Sequence, residues 1–323
     1  MPKMTFSVGG SGGLSWPGHL EVAAAVEELG YHGFYPSDHI ANIYDRGTPD
    51  RLDAPSTLLA LSGRTSRIRL GTMIQANLLR HPVNTAMMYA LLDLATNGRA
   101  DLCLGAGGAR REYDMYGYYY PDTVAERIER LDEGVQLIIA LWTNEGPTTF
   151  EGKYYQVHEA PFFPKPVQKP RPPIMIGGMH SGTMRVAAKY ADNWNSLGAL
   201  KVVEARKVRM REICDEVGRD FDTLSISKQG GFLLTEDKAE AQRFIDRYIA
   251  RITANPAYKV PRGYSSPEEH ARGSSFVGGV SEMTDIIARW LEIGVTHLNL
   301  QTPRPFKREM MEQFAARVMP AFG

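Results

Sequence analysis

Eight short apolar runs, each stopped by glycine or a polar residue and each followed by a helix-like stretch, constrain this chain of 323 residues more than any other feature. The runs are Thr5–Val8, the Gly33-Phe34-Tyr35 run into Ser37-Asp38-His39, Ile68–Ile74, Ala100–Gly105, Ile174–Ile176, Ala191–Ser196, Leu224–Leu234 and Thr296–Gln301. Between them apolar residues recur at helical spacing, most cleanly as Val124, Ile128, Leu131, Val135, Ile138 and Trp142. Strands alternating with helices imply a parallel sheet, and eight units without a composition break favour a closed (β/α)8 TIM barrel over a doubly wound sheet. The expectation is one α/β domain over residues 1–323 with two insertions. One is a hairpin about Gly152, in the proline-rich stretch Thr143–Pro173. The other is Thr253–Ser275, after the seventh strand, which reads either as a lid over the site or as a disordered loop.

Charge and cysteine content narrow the classes. Lys+Arg and Asp+Glu number 37 each, so no global field favours nucleic acid or an anionic membrane surface. Cys103 and Cys214 lie in an apolar strand and a charged helix, a pattern that argues against a disulfide framework and for a reducing, cytoplasmic setting. The start of the chain lacks the apolar core of a signal peptide, and no run approaches the length of a membrane span.

In a barrel, chemistry gathers at the carboxyl ends of the strands. His39 ends the second strand and is the candidate general acid or base. Gly105-Ala106-Gly107 begins like a dinucleotide fingerprint, but Arg110 occupies the place of its last glycine. Gly177-Gly178, followed by Ser181-Gly182-Thr183 and a helix, is a better anion cradle, since helix N-terminal amides favour phosphate. The eight histidines form no pair at metal-ligand spacing, there is no G-x-S-x-G elbow, and neither cysteine has a nearby base. One titratable group, an anion site and no metal point to an organic cofactor.

Four ordered pieces carry a family resemblance. They are Ser37-Asp38-His39; Arg69–Met73 through Arg80-His81-Pro82; Leu104–Gly107 through Glu112-Tyr113 and Gly117; and Pro173–Gly178 through Ala187–Asn195. Together they resemble the luciferase-like monooxygenase superfamily, which includes bacterial luciferase relatives and oxidoreductases dependent on the deazaflavin coenzyme F-420. The resemblance implies a flavin or deazaflavin at the barrel mouth, its ring resting on a strand-three bulge at Met73, Ile74 and Gln75. A non-prolyl cis peptide is expected near Met73-Ile74. Gly107, Arg110, Gly177, Gly178, Ser181 and Thr183 would hold the cofactor, and Arg111, Tyr113 and Trp194 would face the substrate. In deazaflavin dehydrogenases the histidine matching His39 works with a tryptophan and a glutamate. Here Ile43 stands where the tryptophan would be and Arg110 about where the glutamate would be, which blocks a simple transfer of that subgroup's activity.

The expected function is hydride transfer between F-420 and a small organic substrate, with His39 moving a proton. An FMN monooxygenase served by a separate reductase is the alternative, and a non-catalytic cofactor-binding protein a further one. The resemblance also implies a homodimer. The tyrosines Tyr113, Tyr116, Tyr118, Tyr119 and Tyr120 read equally as an aromatic pocket or as a packed or interface loop.

Overall fold

The computed structural model describes residues 3–10, 14–41, 51–254 and 258–323. The first half of the barrel runs β1 (Thr5–Gly9), α1 (Trp16–Glu28), β2 (Gly33–Tyr35), α2 (Ala54–Ser62), β3 (Arg69–Gly71), β4 (Gln75–Ala76), α3 (Pro82–Ala95), β5 (Ala100–Gly105), α4 (Arg110–Tyr116) and α5 (Val124–Thr143). A hairpin of β6 (Thr148–Glu151) and β7 (Gln156–Ala160) follows. The second half runs β8 (Ile174–Gly177), α6 (Ser181–Tyr190), β9 (Asn193–Asn195), α7 (Leu200–Glu216), β10 (Ser225–Leu234), α8 (Lys238–Thr253), α9 (Pro267–Ser274), β11 (Phe276–Gly278), α10 (Val280–Glu292), β12 (His297–Gln301) and α11 (Arg308–Arg317).

The expected barrel is present. Parallel pairing runs β10-β12-β1-β2-β3-β5-β8-β9 and returns from β9 to β10, so the ring closes, with β4 continuing β3 along β5. The period-two pleat then sorts the strand residues. Val8, Phe34, Leu70, Leu102, Leu104, Ile174, Ile176, Trp194, Ile226 and Leu298 belong to the main core with the helices, whereas Tyr35, Met73, Cys103 and Met175 form a separate inner cluster. Part of the remaining interior is polar and paired. Tyr35 donates to Asp101 at 2.5 Å, Arg69 forks onto the same carboxylate, and His297 Nε2 lies 2.8 Å from Ser7 Oγ.

Strand three contains the bulge. Gly71 pairs with Asp101 and Gln75 with Leu104, so four steps on one strand face three on the other and one residue is extra. The Met73-Ile74 peptide within this bulge is cis, where the resemblance placed it.

The insertions differ from each other. The hairpin forms as expected, with its turn held by Glu133 of α5, which accepts from the amides of Lys153 and Tyr154. Thr253–Ser275 is not a featureless loop in its described part. Ser266 caps α9, whose amides begin with Pro267 at a position needing no donor, and α9 packs on α7 and α8. Residues 255–257 of that segment lie outside the described residues.

Beneath α9 lies Lys228, which β10 turns away from the barrel interior. Its ammonium is 2% exposed as a residue, reaches the carbonyls of Gln229 and Ser274, and sits over the rings of Phe276 and Trp290. Burial pushes its pKa down from 10.5 to about 7. Between those values the unfolded chain binds the proton and the folded one does not, so stability rises with pH across that window. Lys228→Met is therefore expected to stabilise the protein most at and below about pH 7, with the gain shrinking as pH approaches 10.5, as urea denaturation at several pH values would measure.

Candidate active site

The strand ends meet in a mouth built in two halves. On the side of β3, β5 and β8 the bulge turns the Ile74 side chain across the ends of the neighbouring strands. A Cβ on Gly177 would stand 2.8 Å from Ile74 Cγ1, and one on Gly105 would stand 3.1 Å from Ile74 Cγ2. A Cβ on Gly178 would collide with the Thr183 side chain. The space at these glycines is thus taken by protein side chains; it is not left open for a ligand. Ile74 over Gly105 and Gly177 is an apolar floor on which a flat ring can rest.

The other half, from β9, β10 and β12, is uncharged and hydrogen-bonding. Asn195 donates to Ser227 Oγ at 3.1 Å, while Ser196 Oγ, Gln229 Oε1 and both polar atoms of Asn299 are buried without a partner. Gln75 Oε1, next to the bulge, is also unpartnered. Buried polar groups normally find a partner. An apolar shelf facing unfilled amide and hydroxyl groups fits a heteroaromatic ring with carbonyl and N–H edges.

His39 lies on the segment leaving β2. Its Nδ1 is 3.0 Å from Glu112 Oε1, and Glu112 Oε2 accepts from the Ile40 amide at 3.0 Å. The Glu112 side chain is 1% exposed and that of His39 29%, so the carboxylate is withdrawn from water while the imidazole remains reachable. A carboxylate on Nδ1 fixes the proton there and leaves Nε2 to give or take one. Among the described residues, Nε2 has no hydrogen-bond partner.

This pairing corrects the reading of the strand-four loop. Glu112, not Arg110, is the residue beside His39. The first turn of α4 buries Glu112 and Tyr113 and turns Arg110 outward, where it is 58% exposed and paired with Asp114 and Asp122. Arg110 therefore does not face the barrel mouth. Ile43, expected at the tryptophan position, lies outside the described residues.

The other expected contacts divide. Trp194 is on the outer face of β9, fully buried among the helices, and its indole donates to the Gly178 carbonyl at 2.9 Å. It supports the glycine pair from behind and does not face a substrate. Tyr113 is fully buried in a small cluster with Ala76 and Leu79, and its unpartnered hydroxyl lies under Gly107, where a Cβ would be 2.8 Å away. Gly107 has φ +78°, a conformation that glycine adopts without strain. Arg111 is exposed beside it. The neighbouring tyrosines form a surface loop, with Arg130 over Tyr119 and Arg127 over Tyr120. At the anion cradle Ser181 opens α6 and is exposed, while Thr183 is buried and donates to the His180 carbonyl. The N-cap is His180, whose Nδ1 accepts from the Gly182 amide; sequence reasoning did not single it out.

A family model for luciferase-like monooxygenases matches residues 4–313. The chain belongs to the luciferase-like monooxygenase family. It is similar to the F420-dependent glucose-6-phosphate dehydrogenase of Kineococcus radiotolerans, with 29% identity covering 94% of this chain and 93% of that one. Among solved structures it resembles an F420-dependent secondary alcohol dehydrogenase, with TM-score 0.85, 21% identity and 99% of each chain covered. It also resembles a monooxygenase from Streptomyces bottropensis, with TM-score 0.80, 21% identity and 99% and 100% covered. At that identity the solved structures speak for the family's barrel.

The floor can be tested without any ligand. In this family member Gly177→Ala is expected to drive Ile74 from its place and cost about 1–3 kcal/mol by overpacking. Ile74→Ala in the same chain removes the collision, so a denaturation double-mutant cycle should show the pair less destabilised than the sum of the singles. Additive effects would mean that Ile74 does not fill the Gly177 space.

Proposed function

We propose that this chain is an oxidoreductase that moves hydride between the deazaflavin F-420 and a small organic substrate, with His39 giving or taking the accompanying proton. The observation that carries the reading is the His39–Glu112 pair at the mouth of a barrel whose floor is Ile74. Bound there, F-420 supplies a ring carbon that carries hydride. Ile74 and the glycine ends of β5 and β8 support the ring, and the start of α6 serves its phosphate. Glu112 holds the His39 proton at Nδ1 and orients Nε2 toward the substrate oxygen, which suits a hydroxyl or carbonyl compound. Similarity to dehydrogenases named for F420 supports this cofactor.

The second reading is an FMN-dependent monooxygenase that takes reduced flavin from a separate reductase, supported by the likeness to a monooxygenase barrel. A proton-relaying histidine backed by a buried carboxylate favours the first. No helix among the described residues is long and apolar enough to cross a membrane. A homodimer is part of the proposal, and the exposed Met87, Leu91 and Leu94 on α3 support it as one apolar stripe for a second copy to cover.

Fluorescence titration of the cofactor-free protein with F-420 and with FMN separates the readings. Preferential F-420 binding is expected; tight FMN binding with substrate-dependent oxygen consumption would overturn the proposal. With an alcohol or ketone found to turn over, His39→Ala should bind F-420 as the parent does and lose about 100-fold or more in kcat. Unchanged turnover would remove His39 from the chemistry.

A further inference from the structure

Arg80 lies between the short 3-10 turn Asn77–Leu79 and α3. Its guanidinium forks onto Asp38, with Nη1 2.8 Å from Oδ2 and Nη2 3.0 Å from Oδ1, and Nη2 also meets Asp53 Oδ1. Asp38 immediately precedes His39. Asp53 is the N-cap of α2, where it accepts from the Ser56 amide at 2.9 Å. One planar cation thus joins the departure and the return of the segment that carries His39. Asp38 Oδ2 also accepts from the Ala76 amide at 3.3 Å, which ties the same clasp to the strand continuing from the Ile74 bulge.

Arg51 adds a second, single hydrogen bond between the same two ends, donating to Ser37 Oγ at 3.2 Å, whereas Arg80 forks onto a buried carboxylate. The side chain of Asp38 is 1% exposed and that of Arg80 12%. Burial pushes the Asp38 carboxyl up, and Arg80 works against that shift by charge and by hydrogen bonds. An ammonium is a point charge on a flexible stem and cannot present two parallel donors to one carboxylate while meeting a second. Glu112 grips the His39 ring and the Ile40 amide, but only if the main chain arrives within reach of a carboxylate fixed on α4.

We propose that Arg80 is a positioning residue for His39: by holding Asp38 and Asp53 together it sets the main chain so that Glu112 keeps the imidazole in its Nδ1–H form. The inference rests on the reading of His39 as the proton-moving group, but its geometry is present without cofactor. The test uses the full chain free of cofactor, so failure of F-420 to bind leaves the result standing. Nitrogen-15 spectra of the histidine rings are recorded above the imidazole titration, with His39→Gln assigning the signal and Glu112→Gln as the variant that must disturb it. The parent should show separate protonated and unprotonated ring nitrogens for His39. Arg80→Gln should merge them toward an averaged pair, Arg80→Lys should fail to restore them, and Asp38→Asn should act as Arg80→Gln does. The Asp38→Asn/Arg80→Gln double variant should be no worse than either single. Circular dichroism melting checks that each variant is folded; should Arg80→Gln fail to fold, Arg80→Lys and Asp38→Asn carry the test. Folded Arg80 variants that keep the parent's separate resonances, or a parent that shows only an averaged pair, would overturn the proposal.

Discussion

One extra residue in the third strand sets the architecture of the mouth. Because the bulge adds a step between Gly71 and Gln75, Ile74 leaves the ladder and crosses the ends of two neighbouring strands. Glycine suits both ends, since a methyl group at Gly177 would enter the space that Ile74 fills and one at Gly105 would press against it. A local change in hydrogen-bond register has thereby dictated residue type on strands roughly thirty and a hundred positions further along the chain. The opposite half of the ring keeps its regular pairing and is free to carry amides and hydroxyls.

Much of this was legible in the chain, and the reasons are physical. Most strands are short and, apart from Lys228 on β10, apolar on their outer face, so their ends fall at glycine or polar residues and the barrel can be counted from sequence. The bulge and the Met73-Ile74 peptide came only through family resemblance, because nothing in the composition of Leu70–Gln75 announces an extra residue. Trp194 was misread for want of a phase: β9 has three residues, too few for alternation to reveal which faces inward. Glu112 was hidden by its neighbours. Two arginines precede it, and only the turn of α4, which buries positions 112 and 113 and exposes 110 and 111, shows that the acid faces in and the bases face out. The glycines were placed correctly at strand ends but for a different reason: they yield to Ile74 and Thr183 and are not a bare backbone awaiting phosphate.

The charges in and around the barrel follow a consistent division. Among the described residues the buried carboxylates are each matched: Asp101 by Arg69 and Tyr35, Asp38 by Arg80, Asp93 by the amide and side chain of Gln168, and Glu112 by the His39 ring and a main-chain amide. The amide-bearing wall of β9, β10 and β12 has none. Among the described residues the buried carboxylates of the mouth are therefore on one side, and the single charged side chain that β10 buries, Lys228, is on its outer face under α9. Among the described residues, a proton exchanged at His39 meets no carboxylate on that opposite wall, and burial holds the imidazole of His297 on β12 neutral.

The position of Arg80 has a consequence for where the placement of His39 is decided. The residues it joins stand at the two ends of a stretch of chain, and Arg80 itself belongs to neither. Both ends of that stretch, Asp38 and Asp53, are registered to the same guanidinium. The histidine at the mouth thus takes its bearing from a side chain that reaches Asp38 from across the fold, on the far side of the third strand's bulge.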